Sequence, residues 1–210
     1  MEIKKPIIKK DLLREEVINK ESLILDIESV VFKDVTFDNR GMEEIKLNEI
    51  IAENISFQSS IINELKITDS ILKRINFAGT KIIQTFLQRV EIDNSRIQGT
   101  ECLQSNFLDV IISGSKCSNS SFRFAKMKNV AFVDCDLNES DFIGADLKNV
   151  IFQNCNLKST EFSQSKLLNV SLKGSQIENI HISKESVNGL IVDTGQAIYI
   201  SSIFGLIIDD

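Results

Sequence analysis

The chain has 210 residues, 42% apolar and 26% charged, with a net charge of −6, one Pro, one His and no Trp. That is long enough for one domain with a large core, and the mild acidity argues against direct contact with the phosphate backbone of nucleic acid. No uninterrupted apolar stretch has membrane-spanning length, and the N-terminal MEIKKPIIKKDLLREE has neither the apolar run nor the cleavage motif of a signal peptide, so a cytoplasmic protein is expected.

Residues 1–24 are rich in charge and fall outside any repeat; they form an N-terminal cap segment. KDLLREEVINK reads either as a short helix covering the start of the repeat or as a polar N-terminus without regular structure.

From residue 25 to 189 the chain repeats. MKNVAFVDCDL at 127–137 returns as LKNVIFQNCNL at 147–157, with six of eleven positions identical. Cut into fives from Ser120 (SSFRF, AKMKN, VAFVD, CDLNE, SDFIG, ADLKN), the chain has an apolar residue at every third position and usually a small one at the first. Carried from Ile27 to Val187, this frame has 33 centres, and all 33 are apolar, which a chain 42% apolar would not produce by chance. Ten of the thirteen Phe are centres.

A period of five fits neither a helix nor a plain strand. It fits a short strand followed by a corner. The first and third residues are two apart and point to one side, and the chain then bends so that the next pentad does the same. Corners need Gly or Asn. Six of the seven Gly in the repeat (Gly79, Gly99, Gly114, Gly144, Gly174, Gly189) and nine Asn occupy the fifth position, and Pro6 lies outside the repeat. Four corners close a square, and four fives make twenty, which explains the offset between the two quoted segments. Val90, Val110, Val130, Val150 and Val170 then stack, as do Phe122, Phe142 and Phe162. The reading is an all-β coil of about eight turns, about 40 Å long at one strand spacing per turn.

Residues 190–210 read as a C-terminal helix and strand. Asp193 or Thr194 caps a helix over 196–204, Gly205 stops it, and LII follows as a last strand. Ala197, Ile198, Tyr199, Ile200, Ile203 and Phe204 leave only a narrow Ser face. A helix this apolar either caps the last coil or forms a two-fold dimer interface.

Chemistry is scarce. Cys102 and Cys117 are centres and Cys135 and Cys155 are first positions, so all four thiols point inward as core. His181 faces outward with no ligand beside it, no phosphate-binding Gly loop is present, and no carboxylate pair stands out. No enzyme, metal or cofactor is expected. Function then lies on the outer faces. The column starting at Met42 carries Glu43, Glu44, Glu64, Glu101, Asp141 and Glu161 against Lys81, Arg123 and Lys184, together with outward Ile83, Leu103, Phe124 and Ile143. A charged face with exposed apolar residues suggests a protein partner, set against an ordinary solvated surface. The column starting at Phe32 shows outward β-formers: Val31, Ile51, Ile71, Ile111, Ala131 and Ile151.

The repeat resembles that of the pentapeptide-repeat proteins, loosely A(D/N)LXX. ADLKN at 145–149 fits it in full, and CDLNE, CNLKS and SDFIG nearly. The resemblance implies a right-handed quadrilateral β-helix. The N-terminal half departs from the pattern, with large first positions (Ile45, Ile50, Ile55, Leu65, Ile75) and Arg40 at another, so the first two coils are expected to be less regular. The C-terminus resembles the Qnr-type quinolone-resistance branch, with its GL/V…QA…LG pattern matched by Gly189, Leu190, Gln196, Ala197, Phe204 and Gly205. That resemblance implies a dimerising helix, here Ile198, Tyr199, Ile200, Ile203, Phe204 and Leu206. It also implies a DNA-mimicking rod that binds DNA gyrase or topoisomerase IV and spares it from fluoroquinolones. The mixed charge, with Lys128, Lys148 and Lys166 in a neighbouring column, and the absence of frame-breaking loops count against mimicry. The other reading is a scaffold or interaction module with a different cytoplasmic partner.

Overall fold

The computed structural model describes residues 2–9, 14–15, 21–102 and 105–209. Leu25 pairs with Ile45, Ile45 with Leu65, Leu65 with Thr85 and Thr85 with Ser105, every pair parallel and twenty apart. The same offset joins Met127 to Leu147 and Leu147 to Leu167. Parallel neighbours need a crossover between them. Here the crossover is the remainder of each turn, so the strands form a β-solenoid of about eight turns closed by one short helix. The four faces are numbered by the columns starting at Ile27, Phe32, Phe37 and Met42. The first two coils keep the same register as the rest. Their one irregular side chain is Arg40, half-buried at an inward position and paired with Glu21 at 3.1 Å.

The corners explain the fifth position. Among the described residues, twenty-two non-glycine residues have positive φ, and all stand at fifth positions; thirteen of them are Asn or Asp, which tolerate that conformation best. Asn also ties successive corners together. Asn129 donates to Asp109 Oδ1 at 3.0 Å, Asn149 to Asn129 at 3.1 Å and Asn169 to Asn149 at 3.3 Å. Glu44, Glu64 and Gln84 are exceptions without positive φ, and there strands such as Ile61–Lys73 and Lys81–Asp93 run on through the corner. The inward residues at the next positions, Ile45, Leu65 and Thr85, are larger than Ala125, Ala145 and Ser165, where the tight left-handed turn returns.

The small first position has a chemical reason. Its side chain donates to a corner carbonyl of the coil below: Ser60 to Phe37 O at 2.7 Å, Thr80 to Phe57 O at 2.6 Å, Ser140 to Cys117 O at 2.8 Å. Cys135 and Cys155 do the same, to Ile112 O at 3.3 Å and Phe132 O at 3.4 Å. The buried hydroxyl or thiol is thereby satisfied inside an otherwise apolar rod, on carbonyls such as Phe57 O and Cys117 O that also accept a turn N–H. Thr85 Oγ1 is the one buried side-chain polar atom without a partner among the described residues. It lines a cavity of about 30 Å³ where no Phe fills the coil of Ile82, Leu87, Ile92 and Ile97. On either side Phe rings stack, with Phe57 at 5.1 Å from Phe37, and Phe142 at 5.0 Å from both Phe122 and Phe162.

All four cysteines are buried and free. Burial pushes the Cys102 thiol up to about 12, and hydrogen bonding to Cys135 together with burial raises Cys117 and Cys155. Hydrogen bonds from Cys117 and Cys155 pull Cys135 down instead, so burial rather than protonation is what shields the reactive thiolate form there. The folded protein should therefore give no fast reaction with a disulfide reagent at pH 8, and four equivalents once denatured. Rapid labelling of even one thiol without denaturant would contradict this core.

The two ends differ from expectation. Most of the expected helix KDLLREEVINK lies outside the described residues. The described pair, Arg14–Glu15, is a strand whose residues align with Val30 and Val31 and cover that edge of the first coil. At the other end the helix is Thr194–Ile203, but residues 206–209 have no regular structure, so the expected last strand is absent. With the helix docked over the final coil, no ladder is left for those residues to join.

Candidate interaction surfaces

The fourth face gathers the predicted acids. Gly41, Ile61, Lys81, Glu101, Ser121, Asp141, Glu161 and His181 align in one ladder, with Glu44 beside Glu64 two coils from the start. Three of these six acids have a Lys or Arg at hand, and a fourth has a His. Glu44 contacts Lys46 at 2.6 Å, Glu101 contacts Lys81 at 3.6 Å, Asp141 contacts Arg123 at 3.3 Å, and Glu161 lies 3.0 Å from His181 Nδ1. For Glu161, burial would raise the pKa, but hydrogen bonds from Ser163 and His181 outweigh it and hold the carboxyl below its usual range. Exposed Glu43 and Glu64 make no ion pair among the described residues. The face is therefore less negative to a partner than its acid count suggests. Ile61 and Ile83 are exposed on it, Ile143 is half-buried, and Leu103 lies outside the described residues.

A second surface has no signature in the repeat. The backbone N–H of Ile7 donates to Asp69 Oδ1 at 3.0 Å, and that of Lys4 reaches Asp109 Oδ1 at 3.4 Å. Asp69 and Asp109 are two coils apart, about 10 Å, which is the reach of three extended residues. Residues 2–9 therefore run as an extended strap along the rod, antiparallel to the direction of coil stacking. Ile3, Pro6 and Ile8 are half-buried, while Lys4, Lys5 and Ile7 face out. The strap follows the corner between the first and second faces, and there Asp69 is only 8% and Asp109 only 5% exposed. The outward β-formers Ile51, Ile71, Ile111 and Ile151 are half-buried and Ala131 is buried. Arg89 closes on Asp69 through Nε at 2.6 Å and through its terminal nitrogen. Burial would raise the Asp69 pKa; Arg89 and the Ile7 amide reverse it, so the carboxyl sits below its usual range. In the sequence Asp69 and Asp109 look like any other corner Asp. Nothing in the spacing links them to residues sixty or a hundred positions away.

The C-terminal helix does two things at once. Asp193 accepts from Gln196 N at 3.0 Å, and Gln196 Oε1 accepts from Asp193 N at 3.1 Å, a reciprocal cap. Gln196 Nε2 donates to Leu172 O at 2.7 Å and Ser175 O at 2.8 Å, sealing carbonyls that have no coil above them. Tyr199 Oη accepts from Asn179 N at 2.7 Å, Ile200 is buried, and Phe204 packs on the core. Of the six predicted dimer residues, Tyr199, Ile200 and Phe204 therefore face the last coil. Ile198, Ile203 and Leu206 stay exposed, joined by Ile207 and Ile208. The two readings of this helix are compatible: one side caps, and the other remains apolar and open.

No group of three His, Cys, Asp or Glu side chains could hold a metal among the described residues, and no helix there is long and apolar enough to cross a membrane. The class defined by these features is a four-cornered parallel β-solenoid built from five-residue units. Residues 106–182 match the family model described as a pentapeptide repeat region. A comparison with curated proteins found no match. Several solved structures are similar to the chain, three of them as follows. HetL of Nostoc sp. strain PCC 7120, a pentapeptide repeat protein involved in heterocyst differentiation regulation, is 13% identical over 81% of this chain and 90% of its own, with a TM-score of 0.42. A trypsin-treated variant of QnrB1, a plasmid-mediated fluoroquinolone resistance protein, is 15% identical over 91% and 94%, with a TM-score of 0.45. Rfr23 of the cyanobacterium Cyanothece 51142 is 17% identical over 62% and 88%, with a TM-score of 0.28.

Proposed function

We propose that the chain is a non-enzymatic, cytoplasmic protein-binding rod that pairs with a second copy through its C-terminal helix. The observation that supports this most is the helix itself. One side is consumed in capping the solenoid, yet Ile198, Ile203, Leu206, Ile207 and Ile208 remain exposed on a single terminal segment. An apolar patch of this kind marks an association site. Ile203→Glu should convert a dimer to a monomer in sedimentation with little change in melting temperature, because Ile203 does not pack on the last coil. Ile200→Glu should instead lower the melting temperature. A native protein that sediments as a monomer at high micromolar concentration would end the dimer reading.

A second reading is favoured by Glu43, Glu64 and Glu101, three exposed acids on one face. It is that the dimer occupies the DNA-binding saddle of a type II topoisomerase, DNA gyrase or topoisomerase IV, and protects it from fluoroquinolones. Gyrase supercoiling with and without ciprofloxacin, over a range of protein concentrations, tests it. Rescue or inhibition that disappears on reversing Glu64 and Glu101 supports DNA mimicry, and no effect well above the gyrase concentration removes gyrase as the partner. The ion pairs on the fourth face weigh toward a partner that reads mixed charge and apolar side chains.

A further inference from the structure

Phe124 is out of place. Among the 22 non-glycine residues with positive φ it is the only apolar one, and it is 66% exposed. Its ring lies over Gly144, where an added Cβ would stand 2.6 Å from the ring. A bulky residue in this conformation is an outlier that folding alone does not favour at a corner where Asn or Gly serves.

The surroundings of the corner give it a context. Phe124 ends the fourth face, and Lys126 begins the exposed part of the first. On that first face Phe86, Asn106, Lys126, Asp146 and Lys166 align in one ladder, and Gln88, Leu108, Lys128, Lys148 and Leu168 in the next, two residues along the strand. The surface holds a shallow groove of about 350 Å³. Phe86 and Leu168 are exposed in or beside it, Leu108 is half-buried, and the four lysines are exposed. None of the four makes an ion pair among the described residues, whereas Glu44, Glu101 and Asp141 of the fourth face each have a Lys or Arg partner. Asp146 is the single acid among them. A protein with a net charge of −6 thus presents one concentrated cluster of uncompensated positive charge, interleaved with apolar side chains and flanked by a strained aromatic.

The geometry points to a docking site for an acidic segment of a partner protein. Apolar side chains of the segment would lie against Phe124, Phe86 and Leu108, and its carboxylates against Lys126, Lys128, Lys148 and Lys166. Charge complementarity selects the acidic partner, and the exposed aromatic supplies the kind of anchor that dominates protein interfaces. A bare polyanion would use the lysines but leave the apolar residues without a role. The inference rests on the reading of the rod as protein-binding. Its test is separable, because sedimentation and supercoiling report on the C-terminal helix and the fourth-face acids rather than on this groove.

The test is selection of a random phage-displayed peptide library on the purified protein, followed by titration of the enriched peptides against variants. Enriched sequences should combine Asp or Glu with Phe, Leu or Trp. Their affinity should fall about tenfold or more in Phe124→Asn and in Lys128→Glu, and should hold in Lys116→Glu on the third face. Phe124→Asn should melt no lower than the native protein, because Asn relieves the corner. Four results would each overturn the proposal: no enrichment, enrichment without acids, Phe124→Asn binding as tightly as the native protein, or tighter binding of a single-stranded oligonucleotide to the same lysines. Concentration-dependent self-association abolished by Lys128→Glu would also overturn it, in favour of a contact between copies.

Discussion

Phe142→Ala should cost about 3–5 kcal/mol and lower the melting temperature by about 6–20 °C. The ring is fully buried. It stacks at 5.0 Å on Phe122 below and on Phe162 above, and meets Phe132 and Phe152 edge-on at 6.3 and 5.8 Å. Removing it opens a cavity that the coils cannot close, because each coil is held at one strand spacing by its ladder. In a solenoid each turn contacts only its neighbours, so the damage should also divide the rod. Amide exchange should show the coils around Phe122–Phe162 opening before the Phe37–Phe77 end. A loss of less than about 1 kcal/mol would show that the aromatic stack is not what holds these coils together.

Asp69→Ala should release the N-terminal strap. The change leaves the Ile7 amide without its acceptor and Arg89 without its carboxylate, at a combined cost of about 2 kcal/mol. Exchange at the Ile7 amide should rise sharply, and protease should cut residues 2–9 while the solenoid stays intact. The same contact predicts acid sensitivity of the native protein. The folded pKa of Asp69 is depressed, so its contribution is complete above the unfolded value of about 3.9 and is lost as pH falls through the folded value. The strap should therefore loosen in the native protein below about pH 4, while Arg89 keeps its charge throughout. Asp69→Ala should lack that component. An Ile7 amide equally protected in native protein and variant at neutral pH would show that Asp69 does not hold the strap.

Both predictions concern residues that the five-residue frame treats in opposite ways. Phe142 is legible from the sequence, since a centre is inward by periodicity, and its stacking partners are found by adding or subtracting twenty. Asp69 is legible only as a corner. The same limit applies on the fourth face: Glu101, Asp141 and Glu161 could be placed in one row from spacing, but the pairing of each with Lys81, Arg123 or His181 depends on rotamers. The C-terminal helix shows it again. Its cap by Asp193 and its stop at Gly205 follow from local chemistry. The division of its apolar residues into a docked and an open side depended on how the helix lies across the last coil.

The sequence by itself determined the coil, its register, the inward set and the positions available to left-handed corners. These come from local rules repeated without slippage: one apolar centre, one small inward residue and one turn residue per five. Only the tertiary structure decided where residues 2–9 lie, which acids are compensated and which lysines are not, and that Phe124 stands strained over Gly144. The strap joins residues outside the frame to corners 62 and 105 positions away, and the contacts within a row, though one coil apart, depend on side-chain rotamers, which no period in the sequence encodes.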